Sequence, residues 1–282
     1  MIRKFALSIF IAAACLVATP AASHAMSLKI APLSYESSLK KGEVKKGFID
    51  VSNPEGIAQD ITLQVKAFRQ VDDRGSLEFY DAEQLKAGVK LDYEKLTLGP
   101  REAYRVYFLL DGNKLPTGDI FGAIFASTKP QGGSGSVQSV QVGTLLIIEN
   151  GTPGARNAEI RDYNVPTLQL GDGLRGQMTI YNTAKAGEAT GYYPKITITP
   201  QPYGSFAVKG PLIFAGRSRP VTVTRAGDYF GPVLLKASVG NSEASRWVFA
   251  VTGYWRWLAP LIFIIIISLI GIIYRLLHRS AK

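Results

Sequence analysis

Short runs of alternating apolar and polar residues fill most of residues 28–252, and Gly, Pro, Asn and Asp separate the runs. This alternation puts one face of each run against a core and the other in solvent, which is typical of antiparallel β-strands. The clearest runs are residues 61–65, 104–110, 140–142, 196–198 and 221–223. The pattern predicts an all-β protein whose sheets bury one face each.

A repeated segment suggests how many modules the chain contains. GDIFG at residues 118–122 returns as GDYFG at residues 227–231, which is 109 positions later. This spacing fits two immunoglobulin-like β-sandwich modules in tandem, each with a Gly-Asp turn and an inward aromatic residue at the start of a late strand. We predict module 1 at residues 28–150 and module 2 at residues 155–252, with a short linker between them.

The C-terminal part of the chain is a continuous apolar run. Residues 258–274 contain one polar residue, Ser268, and the run is long enough to cross a bilayer as a helix. We predict a transmembrane helix at residues 257–275 and a basic cytoplasmic tail at 276–282, with the bulk of the protein outside the plasma membrane. The predicted membrane-interface anchors are Tyr254, Trp255, Trp257, Tyr274, Arg275 and Arg279.

The N-terminus has the composition of an export signal. Arg3 and Lys4 precede an apolar run, and a small-residue stretch ends at Ala25, so residues 1–25 are interpreted as a removed signal peptide. A lipoprotein signal ending at Cys15 is the alternative. With residues 1–25 removed, the predicted ectodomain contains neither Cys nor His, which excludes disulfides, Ser-His-Asp and Cys-His catalysis, and zinc sites ligated by Cys or His.

Carboxylate chemistry is the remaining enzymatic hypothesis. Asp81, Glu83, Asp92 and Glu94 could supply the acid pair of a wall hydrolase, but no spacing singles out a pair. Residues 72–75 are interpreted as a hairpin turn because they lack the regular oxygen-ligand spacing of a calcium loop. We therefore predict a protein that is not an enzyme and has no metal, cofactor or catalytic residues.

Two clusters are candidates for ligand contacts. The lysines could attract anionic polymer or lipid, or could protect an edge strand; they are Lys40, Lys41, Lys45 and Lys46. Tyr192, Tyr193 and Tyr203 could stack on sugar rings, anchor a protein contact or pack in a core. A Gly/Ser-rich segment at residues 131–136 is interpreted as a mobile connection before the last strand of module 1. The formal charge of +10 falls to +5 for residues 26–274 once the +2 of the N-terminal end and the +3 of the C-terminal end are left out. This modest excess outside the cell favours anionic wall polymer or lipid over nucleic acid as a partner.

The chain resembles the WxL-interacting proteins of Gram-positive cell surfaces in the order of its segments and in several short motifs of module 1. These motifs are IAP at 30–32, KGE at 41–43, GFIDVSN at 47–53, LGPR at 98–101, LPTG at 115–118, GAIFA at 122–126 and KP at 129–130. The resemblance implies a peptidoglycan-binding first module and a protein-binding second module. Module 2 follows the family pattern only loosely, so its partner stays open.

Two functional hypotheses follow. The first is a membrane-anchored scaffold at the bacterial cell surface that holds cell-wall polymer, another surface protein or both. The second is a membrane-tethered assembly factor that completes partner proteins by strand addition. The second predicts an exposed edge strand at residues 137–148 and predicts that Val142→Pro abolishes capture without unfolding the domain.

Overall fold

The computed structural model describes residues 27–129, 139–185 and 190–279. The predicted signal peptide, the Gly/Ser-rich segment and the end of the tail lie outside these residues. The chain is mostly β-structure, with one short internal helix and one long C-terminal helix, so the predicted all-β character is confirmed. The predicted runs at 61–65, 104–110, 196–198 and 221–223 lie within strands.

Ten strands form the first half of the described chain. They are β1 (Lys29–Ala31), β2 (Ser34–Leu39), β3 (Val44–Ser52), β4 (Gln59–Gln70), β5 (Leu77–Tyr80), β6 (Val89–Leu91), β7 (Lys95–Leu98), β8 (Ala103–Asp111), β9 (Gly118–Thr128) and β10 (Gln141–Asn150). One sheet has the order β1-β3-β8-β6 and the other β2-β10-β9-β4-β5, with β7 also pairing β4. Their inward residues share one core, which includes Ile49, Phe108, Ile124 and Leu146.

Ten further strands form the second half. They are β11 (Ala158–Asn164), β12 (Leu168–Gly171), β13 (Gly173–Asn182), β14 (Gly191–Tyr192), β15 (Lys195–Gln201), β16 (Phe206–Lys209), β17 (Ile213–Phe214), β18 (Ser218–Ala226), β19 (Phe230–Val239) and β20 (Ser242–Thr252). The sheets are β11-β13-β18, β12-β20-β19-β15-β16 and the pair β14-β17. A second core contains Ile180, Ile196, Val233 and Ala250. In the described residues, no sheet combines strands of both halves.

Two helices complete the described chain. Helix α1 (Glu83–Gly88) is a short helix between β5 and β6, with Leu85 and Gly88 buried. Helix α2 (Trp255–Arg279) follows β20 after a turn at Gly253. Its segment Trp255–Tyr274 is long and apolar enough to cross a membrane, and none of that segment is buried within the protein.

The two copies of the repeated segment lead into equivalent strands, β9 and β19. The expected inward aromatic residue occurs only in the second copy, where Tyr229 packs in the core. Phe121 and Phe230 point instead to the outer face of their sheets. Phe121 is covered by the second half of the chain, and Phe230 stacks on Trp255 at the start of α2. In both copies the outward ring packs against the structural unit that follows its own half in sequence, which is the second half for Phe121 and α2 for Phe230.

Candidate partner-binding surface

The first part of β10 is an open edge of the larger sheet in the first half. Strand β2 runs parallel to β10 but pairs only with Leu145–Asn150, whereas β9 pairs with all of β10. Residues 141–144 therefore have a strand on one side only within the described chain. A sheet edge of this kind presents unpaired backbone N–H and C=O groups that can template another strand.

Hydrogen bonding shows which backbone groups face the open side. The Thr128 amide donates to the Val140 carbonyl at 2.9 Å, so even-numbered residues of β10 face β9. The Leu145 amide, on the other side, donates to the Leu33 carbonyl at 2.9 Å. Gln141 and Gly143 therefore point to the open edge, where no backbone hydrogen bond joins them to a described strand.

This geometry corrects the strand-addition hypothesis at two points. The predicted edge at residues 137–148 is shorter, because β2 covers β10 from Leu145 onward. The proposed Val142→Pro test is also wrong, since the Val142 amide faces β9 and its loss would weaken the ladder that holds β10 in the sheet. Proline at Gln141 removes an amide on the open side instead.

An aromatic ring extends over the open edge. A Cβ atom added to Gly143 would lie 2.9 Å from the ring of Phe125, so this ring covers the glycine. Phe125 in turn packs edge-on against Phe79 with the ring centroids 4.8 Å apart. Sequence reasoning missed this arrangement, although a glycine inside an alternating strand is a recognised sign of close approach. A strand added beside Gly143 would place side chains against Phe125.

A small aromatic cluster, which we call the junction cluster, joins the two halves beside this surface. Phe68 and Phe121 belong to the first half and Phe214 to the second, and the Phe121 and Phe214 ring centroids are 4.4 Å apart. Phe68 lies 5.9 Å from Phe121 and 6.0 Å from Phe214. The cluster holds the second half against the outer face of the sheet that contains β10.

Polar contacts surround the aromatic cluster. Gln70 is buried, and its amide group donates to the Ser218 carbonyl at 3.1 Å and accepts from the Phe214 amide at 3.3 Å. The Ser218 amide donates to Asp73 Oδ1 at 3.0 Å. Asp73 lies in the turn between β4 and β5, which confirms the hairpin interpretation of residues 72–75. This turn therefore contacts the second half directly.

Charged residues line a cleft between the halves. Arg156 in the connecting segment pairs with Glu149 and lies 3.3 Å from Asp119 Oδ1, and Lys209 pairs with Glu36 at 2.8 Å. Burial raises the pKa of the Asp119 carboxyl, and the Arg156 guanidinium opposes that shift. The cleft thus contains charges of both signs, and these charged side chains are already paired with one another.

The lysine cluster lies at a different open edge. Lys40 and Lys41 are in the turn before β3, and Lys45 and Lys46 are in the part of β3 that β1 leaves uncovered. All four side chains are exposed, and Lys46 Nζ lies 4.0 Å from the centroid of the Tyr107 ring. This position matches the interpretation that the lysines protect an edge strand.

The tyrosines of the second half are not free aromatic anchors. Tyr193 packs at the junction cluster with Lys209 over its ring, and Tyr192 is half-buried near Arg156. Tyr203 packs against Tyr229 and exchanges hydrogen bonds with the Phe230 backbone. These contacts favour packing over stacking on a sugar ring.

The candidate acidic residues give no support for hydrolysis. Asp81 pairs with Lys86 at 2.9 Å, and this hydrogen bond lowers the pKa of the Asp81 carboxyl, whereas a glycosidase acid needs a raised pKa. Glu83 pairs with the same lysine, and Asp92 and Glu94 are exposed. Among the described residues, no group of three or more potential ligands could hold a metal ion.

The predicted membrane anchors lie at both ends of the apolar span. Tyr254 and Trp257 are exposed near the start of α2, and Trp255 packs against Phe230. Tyr274 is the last residue of the candidate span and is also exposed. Arg275 and Arg279 belong to the backbone of α2, and their side chains lie outside the described part of the chain.

A comparison with solved structures matches this chain to fimbrial chaperones at low similarity. The class 5 fimbriae chaperone CfaA matches with a TM-score of 0.40 and 13% identity, over 79% of this chain and 99% of that chain. The E. coli chaperone DraB matches with a TM-score of 0.38 and 13% identity, over 80% and 98%. The CsuC–CsuE complex of Acinetobacter baumannii matches with a TM-score of 0.39 and 9% identity, over 79% and 99%.

No protein-family model matches the sequence, and a search of curated proteins found no match. The three structures named above have TM-scores below 0.5, so the activity of those chaperones is not assigned to this chain.

Proposed function

We propose that this protein is a membrane-anchored binding protein that takes up an extended segment of a partner protein at the open edge of β10. The single observation that carries the proposal is the outward direction of the Gln141 and Gly143 backbone groups, which have no strand partner in the described residues. Strand addition obtains affinity from main-chain hydrogen bonds and specificity from alternate side chains. Phe125 lies where such side chains would contact the sheet.

The anchor in this proposal is helix α2. Its length and composition suit a single crossing of a bilayer. The predicted orientation, with both halves outside and the tail in the cytoplasm, belongs to the proposal. Capture at a sheet edge needs no reactive side chain, so the proposed function is binding or assembly rather than catalysis.

Photo-cross-linking in the native membrane tests the proposal. A photoreactive amino acid replaces Leu33, which is 75% exposed and lies where β2 stops covering β10. We expect a specific adduct that Gln141→Pro abolishes and Gln141→Ala retains, because only proline removes the outward amide. An adduct of equal yield in both variants, or no adduct, contradicts capture at this edge.

Membership of the WxL-interacting family and binding to cell-wall polymer stay predictions. Co-sedimentation of the protein with isolated cell-wall sacculi, before and after their attached proteins are stripped, tests polymer binding. Pelleting with stripped sacculi supports a polymer ligand, and pelleting only with unstripped sacculi indicates a protein partner. No pelleting in either case argues against the scaffold hypothesis and leaves capture at β10.

A further inference from the structure

The five-stranded sheet of the second half has an apolar outer face at the end next to α2. We call this surface the apolar sheet end. It consists of Leu168, Leu170, Phe230, Pro232, Leu234, Trp247, Phe249 and Val251. The strand register brings these residues together: Trp247 pairs with Leu234, and Phe249 lies between Pro232 and Leu168. Trp247 is 64% exposed and Phe249 is 47% exposed, and a contiguous exposed apolar patch of this kind marks an interaction site.

The same face is polar farther from α2. Its outward residues there are Lys195, Thr197, Thr199, Lys236, Ser238, Glu243 and Ser245. The register again groups them, since Lys236 pairs with both Thr199 and Ser245. One face of one sheet is thus divided along its strands, and the apolar part is the part that adjoins the helix.

The apolar sheet end and the start of α2 form one surface. The ring of Phe230 stacks on Trp255 with the centroids 4.6 Å apart. The Gly253 amide donates to the Gly171 carbonyl, and the Tyr254 amide donates to Asp228 Oδ1, both at 2.9 Å. These contacts hold the first turn of α2 against the sheet, so the sheet cannot swing freely about the helix.

This attachment determines where the apolar sheet end lies if α2 crosses a membrane. Tryptophan and tyrosine favour the headgroup layer, so Tyr254, Trp255 and Trp257 place the first turn of α2 at that level. The apolar sheet end is then brought to the same level. Its aromatic and aliphatic side chains suit the boundary between headgroups and acyl chains, and the exposed Arg175 lies beside Leu170, where it can meet lipid phosphate.

We propose that the apolar sheet end rests in the headgroup layer of the bilayer that α2 crosses, so that the second half lies on the membrane surface. We assign lipid as the partner of the apolar sheet end because this surface is continuous with α2, and lipid surrounds α2 if the helix crosses the bilayer. This inference rests on the membrane-anchoring part of the proposed function and is independent of capture at β10.

Tryptophan quenching in lipid vesicles tests the contact. The chain contains three tryptophans, so Trp255→Phe with Trp257→Phe leaves Trp247 as the only one. The full-length variant is reconstituted into phosphatidylcholine vesicles that carry bromine on the acyl chains close to the headgroup. We expect strong quenching of Trp247 relative to unbrominated vesicles. The matched control has all three tryptophans replaced by Phe and carries Thr197→Trp at the polar end, where we expect no quenching.

Each outcome bears on the proposal. Quenching at 247 and not at 197 supports it. No quenching of Trp247, or equal quenching at both positions, overturns it. A blue-shifted but unquenched Trp247 shows that protein covers the surface, which also overturns lipid contact. Alkaline carbonate extraction of the same vesicles separates the two premises: release of the protein refutes the spanning helix, whereas retention with unquenched Trp247 refutes the sheet contact alone.

Discussion

Gly253 is the residue at which the β-structure turns into the C-terminal helix. Its φ is +62°, and a Cβ atom there would lie 1.8 Å from Asp228 Oδ1. The carboxylate that holds the Tyr254 amide occupies the space that a side chain would need. The glycine is therefore required both by the backbone conformation and by the close approach of Asp228.

We expect Gly253→Ala to lower the free energy of unfolding by about 1–2 kcal/mol or more, because alanine is strained at positive φ and also displaces Asp228. Thermal unfolding in detergent measures the loss. The matched control is Gly204→Ala, since no heavy atom lies within 4 Å of its added Cβ atom. Equal midpoints for the two variants would show that the turn is not strained.

Asp119 makes stability depend on pH. Burial raises its pKa above the ordinary value of 3.8, so the folded protein retains this proton to higher pH than the unfolded chain. The folded state then binds more protons, and the contribution of Asp119 to stability falls as the pH rises through its folded pKa. Asp119→Asn removes this dependence and can still accept a hydrogen bond from Arg156.

Unfolding measured between about pH 4 and pH 7 tests this prediction. We expect the wild type to lose more stability over this interval than Asp119→Asn. Glu149→Gln is the control, because it removes the other carboxylate partner of Arg156 at a more exposed position. Parallel pH profiles for wild type and Asp119→Asn would contradict a raised pKa at this position.

Strand β10 is the element on which the proposed function depends. Proline substitutions can distinguish the amides of β10 that face β9 from those that face the open side. We expect Val142→Pro to destabilise the protein by about 1–3 kcal/mol, because it removes an amide that faces β9. Gln141→Pro should cost less, since its amide faces the open side. Chemical denaturation of both variants provides the comparison, and the reverse order of stability would show that the bonding alternation is shifted by one residue.

Much of the β-structure was predictable from alternation alone, because a period of two reports which face of a strand is buried. The strands at residues 61–65 and 104–110 were found in this way. The pairing of β2 with β10 was not predictable from alternation. It is a parallel pairing over Leu145–Asn150 that joins segments far apart in sequence. The open edge was consequently predicted to be longer than it is.

The candidate site was less predictable than the strands. Phe121 was expected to point inward, but its side chain belongs to a junction that forms only when the two halves meet. The predictions for Tyr192, Tyr193 and Tyr203 left packing open, and contacts in the folded chain decide it. Such residues cannot be assigned from periodicity, because periodicity reports one sheet and not what packs on its outer face.

At the scale of the whole molecule, the aromatic junction links the two halves. We expect Phe121→Ala to lower the free energy of unfolding by about 3 kcal/mol and to expose the connecting residues 151–157 to protease, because the ring packs against both Phe68 and Phe214. Limited proteolysis measures the exposure. Phe79→Ala serves as the control, since Phe79 packs on Phe68 without belonging to the junction cluster.

A change confined to Phe121→Ala would confirm that the junction, and not aromatic content in general, holds the halves together. Equal protease sensitivity in both variants would show that the connecting segment is held by Arg156 and its acidic partners instead.

The repeated Gly-Asp segment acts at both exits from the β-structure. Asp119 lies beside Gly154 and Arg156 where the chain leaves the first half, and Asp228 holds Tyr254 where it leaves the second. Because both exits are held by these contacts, we expect the part of the chain between β10 and α2 to move as one rigid unit. A segment bound at β10 would be kept at one height above the bilayer. A partner pulled farther from the bilayer than that height would dissociate from β10, because a rigid unit cannot extend to follow it.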